Sequence, residues 1–358
     1  MKNSLCDDFL NPGKIVHALL PGLGGGASET ASRSPWAVEI HPTAKCNHQC
    51  IHCSYRERNE SRNQLDPAVM SNLIASLIKM GVKGVYFSGG GEPVLYPKLA
   101  AQVKTLTDSG VAVAVLSNGS GIDESGLLEV ADRLGYLAIS VPSCRPDLFQ
   151  HITGRQHLEK ILSLPVKIRA RHGGRAPVIG ARVVITTLIS AEVSRMLFIL
   201  RSQGFDYVIF KVVRDYEDRG LGLSEVDVAV LRRQIEELEN SGEIDPRFTN
   251  LNKIFDYRAP YEPAERCWVN EAGLLAAVTP EAEVYPNIAE IGRPDFLIGN
   301  LKENNFEDLW NSPRHSAVKL ASNQLWQQGR CRNCRAIAYN GVIKDILSMA
   351  TKEADPFI

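Results

Sequence analysis

Three cysteines lie within eight residues, directly after the first strand-like run of the chain. Cys46, Cys50 and Cys53 have the spacing C-x3-C-x2-C, and an apolar run at residues 36–40 precedes them. Thiolates are the preferred ligands of iron–sulfur clusters, and three of them on a short loop can bind three irons of a 4Fe–4S cube. The fourth iron then has no protein ligand and is free to bind another molecule.

A structural zinc site is the alternative for the same cysteines. Zinc takes four tetrahedral ligands, and His48 or His52 could complete the set. A group of unligated thiols is the least favoured interpretation, because exposed neighbouring cysteines are readily oxidised.

A glycine-rich segment follows at the end of the next strand-like run. Residues 88–93 read Ser-Gly-Gly-Gly-Glu-Pro. Glycines let the backbone approach a ligand closely, although a glycine-rich strand end on its own is more often an ordinary turn.

These two motifs, one β/α unit apart, resemble those of the radical S-adenosylmethionine (AdoMet) enzymes. The resemblance implies that Cys46, Cys50 and Cys53 hold a 4Fe–4S cluster whose open iron is chelated by AdoMet. In that family the reduced cluster splits AdoMet into methionine and a 5′-deoxyadenosyl radical, which takes a hydrogen atom from the substrate. Family members usually have an aromatic residue before the last cysteine, and that position is His52 here.

The resemblance also implies AdoMet contacts at three strand ends. A Gly-Gly-Glu motif binds the amino group of AdoMet in the family, and polar residues at the next two strand ends contact its ribose and carboxylate. Serine and asparagine at such places are equally compatible with ordinary turns. The matching residues are Gly90, Gly91, Glu92, Ser117, Asn118 and Ser140.

Strand-like and helix-like segments alternate from residue 36 onward. Six strands are predicted at residues 36–41, 84–88, 111–117, 136–141, 179–186 and 207–213. Helices are predicted at residues 66–80, 97–109, 124–134, 148–164, 191–203 and 224–240. This order favours an α/β fold with a parallel sheet. Periodicity alone also fits an open doubly wound sheet, whereas the resemblance implies a partial (β/α)6 TIM-like barrel with functional groups at the strand ends.

Cysteines return near the C-terminus, where the sequence resembles the SPASM and twitch extensions of radical AdoMet enzymes. The matching features are Cys267, a Gly-Asn-Leu run at residues 299–301, Leu-Trp at 309–310, and the C-x2-C pair Cys331 and Cys334. The resemblance implies a small C-terminal iron–sulfur extension with one auxiliary cluster held by these three cysteines.

The fourth ligand of the auxiliary cluster is left open. Family members usually have a cysteine shortly after the Val-Tyr-Pro turn, and this sequence has Asn287. The fourth iron is then open to substrate, bound by Asn287 or another side chain, or reached by Cys6. A structural zinc knuckle is the alternative, because C-x2-C is also a zinc spacing.

Cys144 follows the fourth predicted strand, on the barrel face where the radical would form. A thiol there could donate a hydrogen atom to a substrate radical, as in radical AdoMet epimerases. The other interpretation is a packing residue, since buried free cysteines are common and inert.

Five segments are expected along the chain. Residues 1–34 are glycine-rich and read as a flexible N-terminal segment, and residues 241–262 read as a linker. The remaining segments are the partial barrel at 35–240, the auxiliary cluster domain at 263–345 and a C-terminal tail at 346–358.

Composition excludes several classes of protein. The chain has 40 basic and 41 acidic residues and a net charge of −1, which gives no general attraction to nucleic acid or anionic membranes. We find no transmembrane run and no secretory signal. Eight cysteines without an export signal indicate metal ligands or reactive thiols in a cytoplasmic protein.

The sequence therefore predicts a radical AdoMet oxidoreductase or isomerase. We expect a small-molecule substrate of the sugar or amino-sugar kind, oxidised or epimerised, because only 35 residues precede the first predicted strand, too few for the leader-binding domain of many peptide-modifying members. A peptide maturase is the alternative, and a zinc- or cluster-binding scaffold without radical chemistry is a second. The resemblance implies an external electron donor such as flavodoxin or ferredoxin.

Overall fold

The computed structural model describes residues 12–19, 34–215, 218–255, 266–329 and 337–351. The strands are β1 (Ala37–Ile40), β2 (Gly84–Phe87), β3 (Ala112–Ser117), β4 (Tyr136–Ser140), β5 (Val178–Ile185), β6 (Tyr207–Val212), β7 (Leu275–Val278), β8 (Glu283–Tyr285) and β9 (Gly299–Asn300). The helices are α1 (Pro12–Leu19), α2 (Arg56–Asn59), α3 (Pro67–Lys79), α4 (Leu99–Asp108), α5 (Pro146–Thr153), α6 (Leu158–Leu162), α7 (Leu164–His172), α8 (Val193–Ser202), α9 (Glu225–Asn240), α10 (Trp268–Glu271), α11 (Phe306–Trp310), α12 (Pro313–Gln327) and α13 (Ile337–Thr351).

All nine described strands belong to one sheet. Their order is β6-β5-β4-β3-β2-β1-β7-β8-β9, and β1 to β6 are parallel throughout. All six predicted strands are present, and with the helices between them they form the predicted α/β partial (β/α)6 barrel. Parallel strands end at the same edge, so the loops after β1 to β6 share one rim.

Apolar residues of the strands and helices meet in one core. Val38, Ile40 and Phe87 are fully buried in β1 and β2, and Met70 and Leu77 of α3 pack in the same cluster. The Asp66 side chain caps α3 by accepting from the backbone N–H of Ala68 at 2.7 Å, as its Asp-Pro start predicts.

The C-terminal extension continues the barrel sheet. Strand β7 pairs in parallel with β1, and β8 and β9 add antiparallel strands beyond it. Ala37 of β1 pairs with Leu275, and Ile40 pairs with Val278. The C-terminal extension is therefore hydrogen-bonded directly to β1, the first strand of the barrel.

Two predicted helices differ in the structure. Residues 124–134 were expected to be helical, but they form turns and a 3-10 helix at Leu128–Arg133, because Gly126 has a φ of +74° that interrupts an α-helix. The helix expected at 148–164 is divided into α5, α6 and the start of α7. Gly154 has a φ of +69° and ends α5.

Within the segment expected to be a linker at 241–262, residues 248–254 pack on the edge strand β6. The Asn250 side chain accepts from the N–H of Phe210 at 2.8 Å and donates to its C=O at 2.9 Å. Phe248, Leu251 and Ile254 are buried. The segment therefore covers an edge that would otherwise expose unpaired backbone groups.

The N-terminal segment expected to be flexible contains helix α1. Ala18 is buried in a second apolar cluster with Ala37, Cys267 and Ile343. Helix α1 packs against α13, which itself runs across the expected boundary between residues 345 and 346. Among the described residues, no helix has the length and hydropathy needed to cross a membrane.

Candidate active site

The cysteine loop, residues 41–53, leaves the end of β1 and pairs with the end of α5. The N–H of Gln49 donates to the C=O of Thr153 at 2.9 Å, and the N–H of Ile51 donates to the C=O of Ile152 at 3.0 Å. These bonds fix the stretch that contains the middle cysteine, Cys50.

The three thiols of this loop are half-buried and close enough to interact. Burial is the main cause that raises the pKa of Cys46 to about 11 and that of Cys50 to about 12. The negative charge of the Cys53 thiolate raises the pKa of both thiols further. Metal binding deprotonates a coordinating thiol and compensates its charge. The donor set therefore fits an iron–sulfur centre.

A zinc ion and a 4Fe–4S cube place different demands on these thiolates. Zinc needs four ligands that converge on one point, whereas each thiolate of a cube binds a different iron.

The two histidines of the loop have different surroundings. His48 is buried and stacks on His157 with ring centroids 5.5 Å apart. His52 is half-buried, and its Nδ1 has no hydrogen-bond partner among the described residues. Burial lowers the pKa of each to about 4, so both rings are neutral at pH 7.

The glycine-rich segment is bound directly to the cysteine loop. The N–H of Gly91 donates to the C=O of Thr43 at 2.8 Å, and the N–H of Glu92 donates to the C=O of Lys45 at 2.8 Å. A Cβ at Gly91 would lie 2.1 Å from the Lys45 carbonyl oxygen. Only glycine fits there, and Gly90 has a φ of +53° that also favours glycine.

The Glu92 carboxylate is fully buried and joins two strand ends. Its Oε1 accepts from Ser117 Oγ at 2.7 Å and from the N–H of Val94 at 3.2 Å, and its Oε2 accepts from the N–H of Asn118 at 2.6 Å. Burial raises the pKa of Glu92 to about 7, although these hydrogen bonds oppose the rise. Glu92 therefore positions the end of β3.

Asn47 is a residue of this site that sequence reasoning missed. Its Oδ1 accepts from Asn118 Nδ2 at 2.8 Å, and its Nδ2 donates to Ser120 Oγ at 2.8 Å. Asn118 Oδ1 in turn accepts from Ser120 Oγ at 2.7 Å. Asn47 lies inside the C-x3-C spacing, and this position was the available signal.

Cys267 is buried beside α13. Its N–H donates to Asn323 Oδ1 at 2.8 Å, and its Sγ accepts from Asn340 Nδ2 at 3.7 Å. Burial raises the pKa of the Cys267 thiol. Cys331, Cys334 and Cys6 lie outside the described residues.

Asn287 is held by other protein groups. Its Oδ1 accepts from the N–H of Ala289 at 2.9 Å, and its Nδ2 donates to Asn270 Oδ1 at 3.2 Å. Both polar atoms of this side chain are thus already hydrogen-bonded.

Two protein families match the chain, one on each of these regions. Residues 40–188 match the Radical SAM superfamily, and residues 267–335 match SPASM, an iron–sulfur cluster-binding domain. The chain belongs to the radical SAM superfamily. It is a radical SAM enzyme with a C-terminal SPASM domain, and its cofactors are a radical SAM 4Fe–4S cluster, AdoMet and an auxiliary iron–sulfur cluster.

Curated relatives match at low identity. The chain is 23% identical over 319 residues to a tungsten-containing aldehyde ferredoxin oxidoreductase cofactor-modifying protein from Pyrococcus furiosus, covering 82% of this chain and 85% of the relative. It is 30% identical over 146 residues to an S-adenosylmethionine-dependent nucleotide dehydratase from a Thermoplasmatales archaeon, covering 40% of this chain and 51% of the relative. The chain thus spans about half of the second relative.

Solved structures share the fold. SuiB from Streptococcus suis bound to precursor peptide SuiA superposes with a TM-score of 0.61 at 17% identity, over 80% of this chain and 67% of that one. The anSMEcpe structure with bound AdoMet has a TM-score of 0.61 at 13% identity, over 90% of this chain and 96% of that one.

Two predicted site residues of this radical SAM enzyme lie beyond the hydrogen-bonded network. Ser140 is exposed at the end of β4, and its side chain has no hydrogen bond among the described residues. Cys144 is half-buried and packs against the main core. Burial raises its pKa to about 12, and the charges that act on it belong to Arg195 and Glu192.

Proposed function

We propose that this radical SAM enzyme binds its catalytic 4Fe–4S cluster through Cys46, Cys50 and Cys53 and abstracts a hydrogen atom from a small-molecule substrate of the sugar or amino-sugar kind. The product is oxidised or epimerised. When bound and reduced, the cluster supplies the electron that splits AdoMet into methionine and a 5′-deoxyadenosyl radical.

One observation carries this proposal: the cysteine loop and the ends of β2 and β3, two of the three strand ends predicted to bind AdoMet, form one hydrogen-bonded unit. Gly91 and Glu92 bind the loop backbone, and the Glu92 carboxylate binds Ser117 and Asn118. The Asn118 side chain in turn donates a hydrogen bond to Asn47 of the cysteine loop. The protein's own hydrogen bonds therefore hold the proposed cluster ligands and these proposed AdoMet contacts in fixed positions relative to each other.

The residues of this unit have separate roles. Gly90 and Gly91 bring the backbone close to the amino group of AdoMet, and Glu92 orients the strand end that carries Ser117 and Asn118. Ser140 is exposed on the same rim, and its hydroxyl, which has no hydrogen bond among the described residues, is proposed to donate to the AdoMet carboxylate.

The names of the curated relatives favour a small-molecule substrate. One relative modifies a cofactor and others are a nucleotide dehydratase and GTP 3′,8-cyclases, none of them peptide-modifying by name. The cofactor-modifying relative is matched over 82% of this chain. A peptide substrate is the second candidate, because the structures that share the fold include SuiB with its precursor peptide and anSMEcpe with a bound peptide.

The auxiliary cluster is assigned to Cys267, Cys331 and Cys334. The Cys267 thiol contacts Asn340 of α13, which begins shortly after Cys334 in the sequence. We assign the electron that reduces the catalytic cluster to an external flavodoxin or ferredoxin, because each reductive cleavage of AdoMet consumes one electron.

The substrate class can be tested with an extract of the source cells. Ultrafiltration separates small molecules from proteins, and a protease removes peptides from the filtrate. We expect the protease-treated filtrate to stimulate formation of 5′-deoxyadenosine by the anaerobically reconstituted enzyme. Stimulation that the protease abolishes would contradict a small-molecule substrate and support a peptide.

A further inference from the structure

The guanidinium of Arg219 contacts the cysteine loop from the opposite end of the barrel sheet. Its Nη1 donates to the C=O of Ile51 at 3.0 Å and to the C=O of Cys53 at 3.1 Å. Arg219 is 166 residues from Cys53 in the chain. These carbonyls bracket His52, in the turn between the second and third cysteines.

The backbone near Arg219 has hydrogen bonds of its own. The Asp215 carboxylate accepts from the N–H of Arg219 at 2.9 Å and from the N–H of Leu221 at 2.8 Å. The C=O of Leu221 accepts from the N–H of Thr187 at 3.1 Å, which ties Leu221 to the end of β5. The backbone that carries Arg219 is therefore held on the β5 and β6 side of the rim.

The contact joins two strand ends that do not pair with each other. In the described sheet β6 is an edge strand, and four strands separate it from β1. Arg219 follows β6, and the cysteine loop follows β1. The Arg219 side chain therefore connects the first and the sixth strand of the barrel at the rim.

A guanidinium at this place has two consequences for a cluster held by the loop. Two hydrogen bonds to one turn fix the direction of the peptide groups that follow Ile51 and Cys53. A fixed positive charge also stabilises the reduced cluster more than the oxidised one, because reduction adds a negative charge. The fixed peptide groups should help the protein retain the cluster, and the positive charge should raise the reduction potential of the cluster.

We propose that Arg219 is a positioning residue that holds the turn at residues 51–53 ready for its iron and raises the reduction potential of the catalytic cluster. This inference rests on the proposed function, in which Cys46, Cys50 and Cys53 bind that cluster. Arg155 makes a comparable contact at the other half of the motif, where its Nε donates to the C=O of Asn47 at 2.7 Å. Arg155 is exposed, so solvent screens its charge more strongly.

The test compares full-length, anaerobically reconstituted wild-type protein with Arg219→Met, Arg219→Lys and the control Arg214→Met. Arg214 is exposed in the same loop and makes no described side-chain hydrogen bond or ion pair. Redox titration followed by electron paramagnetic resonance gives the potential of the cluster whose signal changes when AdoMet is added. Iron release to a chelator gives cluster retention.

We expect Arg219→Met to lower the ratio of reduced to oxidised cluster about tenfold at the wild-type midpoint, which corresponds to about 59 mV for one electron. It should also release iron faster. Arg219→Lys keeps the charge, but its Nζ lies one bond nearer the backbone than the Nη1 atom that makes both contacts. Iron release should therefore accelerate at a nearly unchanged potential. Arg214→Met should match wild type in both measurements.

Wild-type potential and iron release in Arg219→Met would overturn the inference, as would an equal shift in Arg214→Met. If Arg219→Met does not fold, the test rests on Arg219→Lys. A rate of iron release equal to that of wild type in Arg219→Lys would then overturn the positioning role. A wild-type protein without an AdoMet-responsive cluster would overturn the proposed function as well. Such a cluster with an unshifted Arg219→Met variant would overturn this inference alone.

Discussion

The Oε2 atom of Glu92 accepts a 2.6 Å hydrogen bond from the backbone N–H of Asn118, which joins the end of β2 to the end of β3. The same carboxylate accepts from Ser117 Oγ, and its own backbone N–H donates to the cysteine loop at Lys45. Glu92 is therefore the residue through which three parts of the proposed AdoMet site are held in register.

Replacing Glu92 with glutamine should destabilise the protein and weaken AdoMet binding. Glutamine has one acceptor oxygen, so in either orientation of its amide the backbone N–H of Val94 or that of Asn118 loses its acceptor, at a cost of about 1–3 kcal/mol. Urea unfolding measures the change, and Glu60→Gln, which removes an exposed carboxylate near the cysteine loop, is the control. Equal stability of wild type and Glu92→Gln would contradict this role.

The difference in stability between wild type and Glu92→Gln should change with pH in one direction. Burial raises the pKa of Glu92 from 4.5 to about 7, so the folded protein binds this proton more tightly than the unfolded chain. The stability that the folded protein gains from this tighter proton binding is complete below pH 4.5 and is lost as the pH rises to about 7. The stability of wild type relative to Glu92→Gln, which cannot titrate there, should therefore decline over this range. A constant or rising difference would show that the pKa is not raised.

Gly91→Ala should disrupt the contact between the glycine-rich segment and the cysteine loop. The new Cβ would lie 2.1 Å from the Lys45 carbonyl oxygen, a backbone atom that cannot move aside by itself. We expect a loss of about 3 kcal/mol or more in unfolding free energy and a lower iron content after reconstitution. Gly84→Ala on β2 is the control, because its Cβ would have no atom closer than 3.7 Å. Similar stability of the two variants would contradict the close approach.

The strands could be predicted from the sequence, and the three-cysteine motif could be recognised in it, because both are local patterns. Each strand of the barrel is a short apolar run bounded by turn residues, and Cys46, Cys50 and Cys53 lie within one loop. The capping of α3 by Asp66 is equally local.

Other features could not be predicted because their partners are distant in the chain. The pairing of β7 with β1, the cover that Asn250 gives to β6 and the contact of Arg219 with the cysteine loop all join segments that only the folded chain brings together. The break at Gly154 is different. A glycine inside a predicted helix was visible in the sequence as a possible end of α5.

The prediction that Cys144 donates a hydrogen atom has a direct test once a substrate is known. If Cys144 is the donor, Cys144→Ala should still consume AdoMet and substrate but lose the epimerised product. Solvent deuterium should then enter the wild-type product at one carbon, because thiol protons exchange with water. Full product yield from Cys144→Ala, or wild-type product without deuterium, would make Cys144 a packing residue near Glu192 and Arg195.

Formation of 5′-deoxyadenosine by the Cys46→Ala, Cys50→Ala, Cys53→Ala triple variant tests the proposed function most directly. Wild-type protein, reconstituted with iron and sulfide and reduced with dithionite, should convert AdoMet to 5′-deoxyadenosine and methionine. The triple variant should form none and should retain the iron of the auxiliary cluster, which other cysteines are proposed to hold. If the triple variant still forms 5′-deoxyadenosine, the cysteine loop does not bind the catalytic cluster and the proposal is wrong.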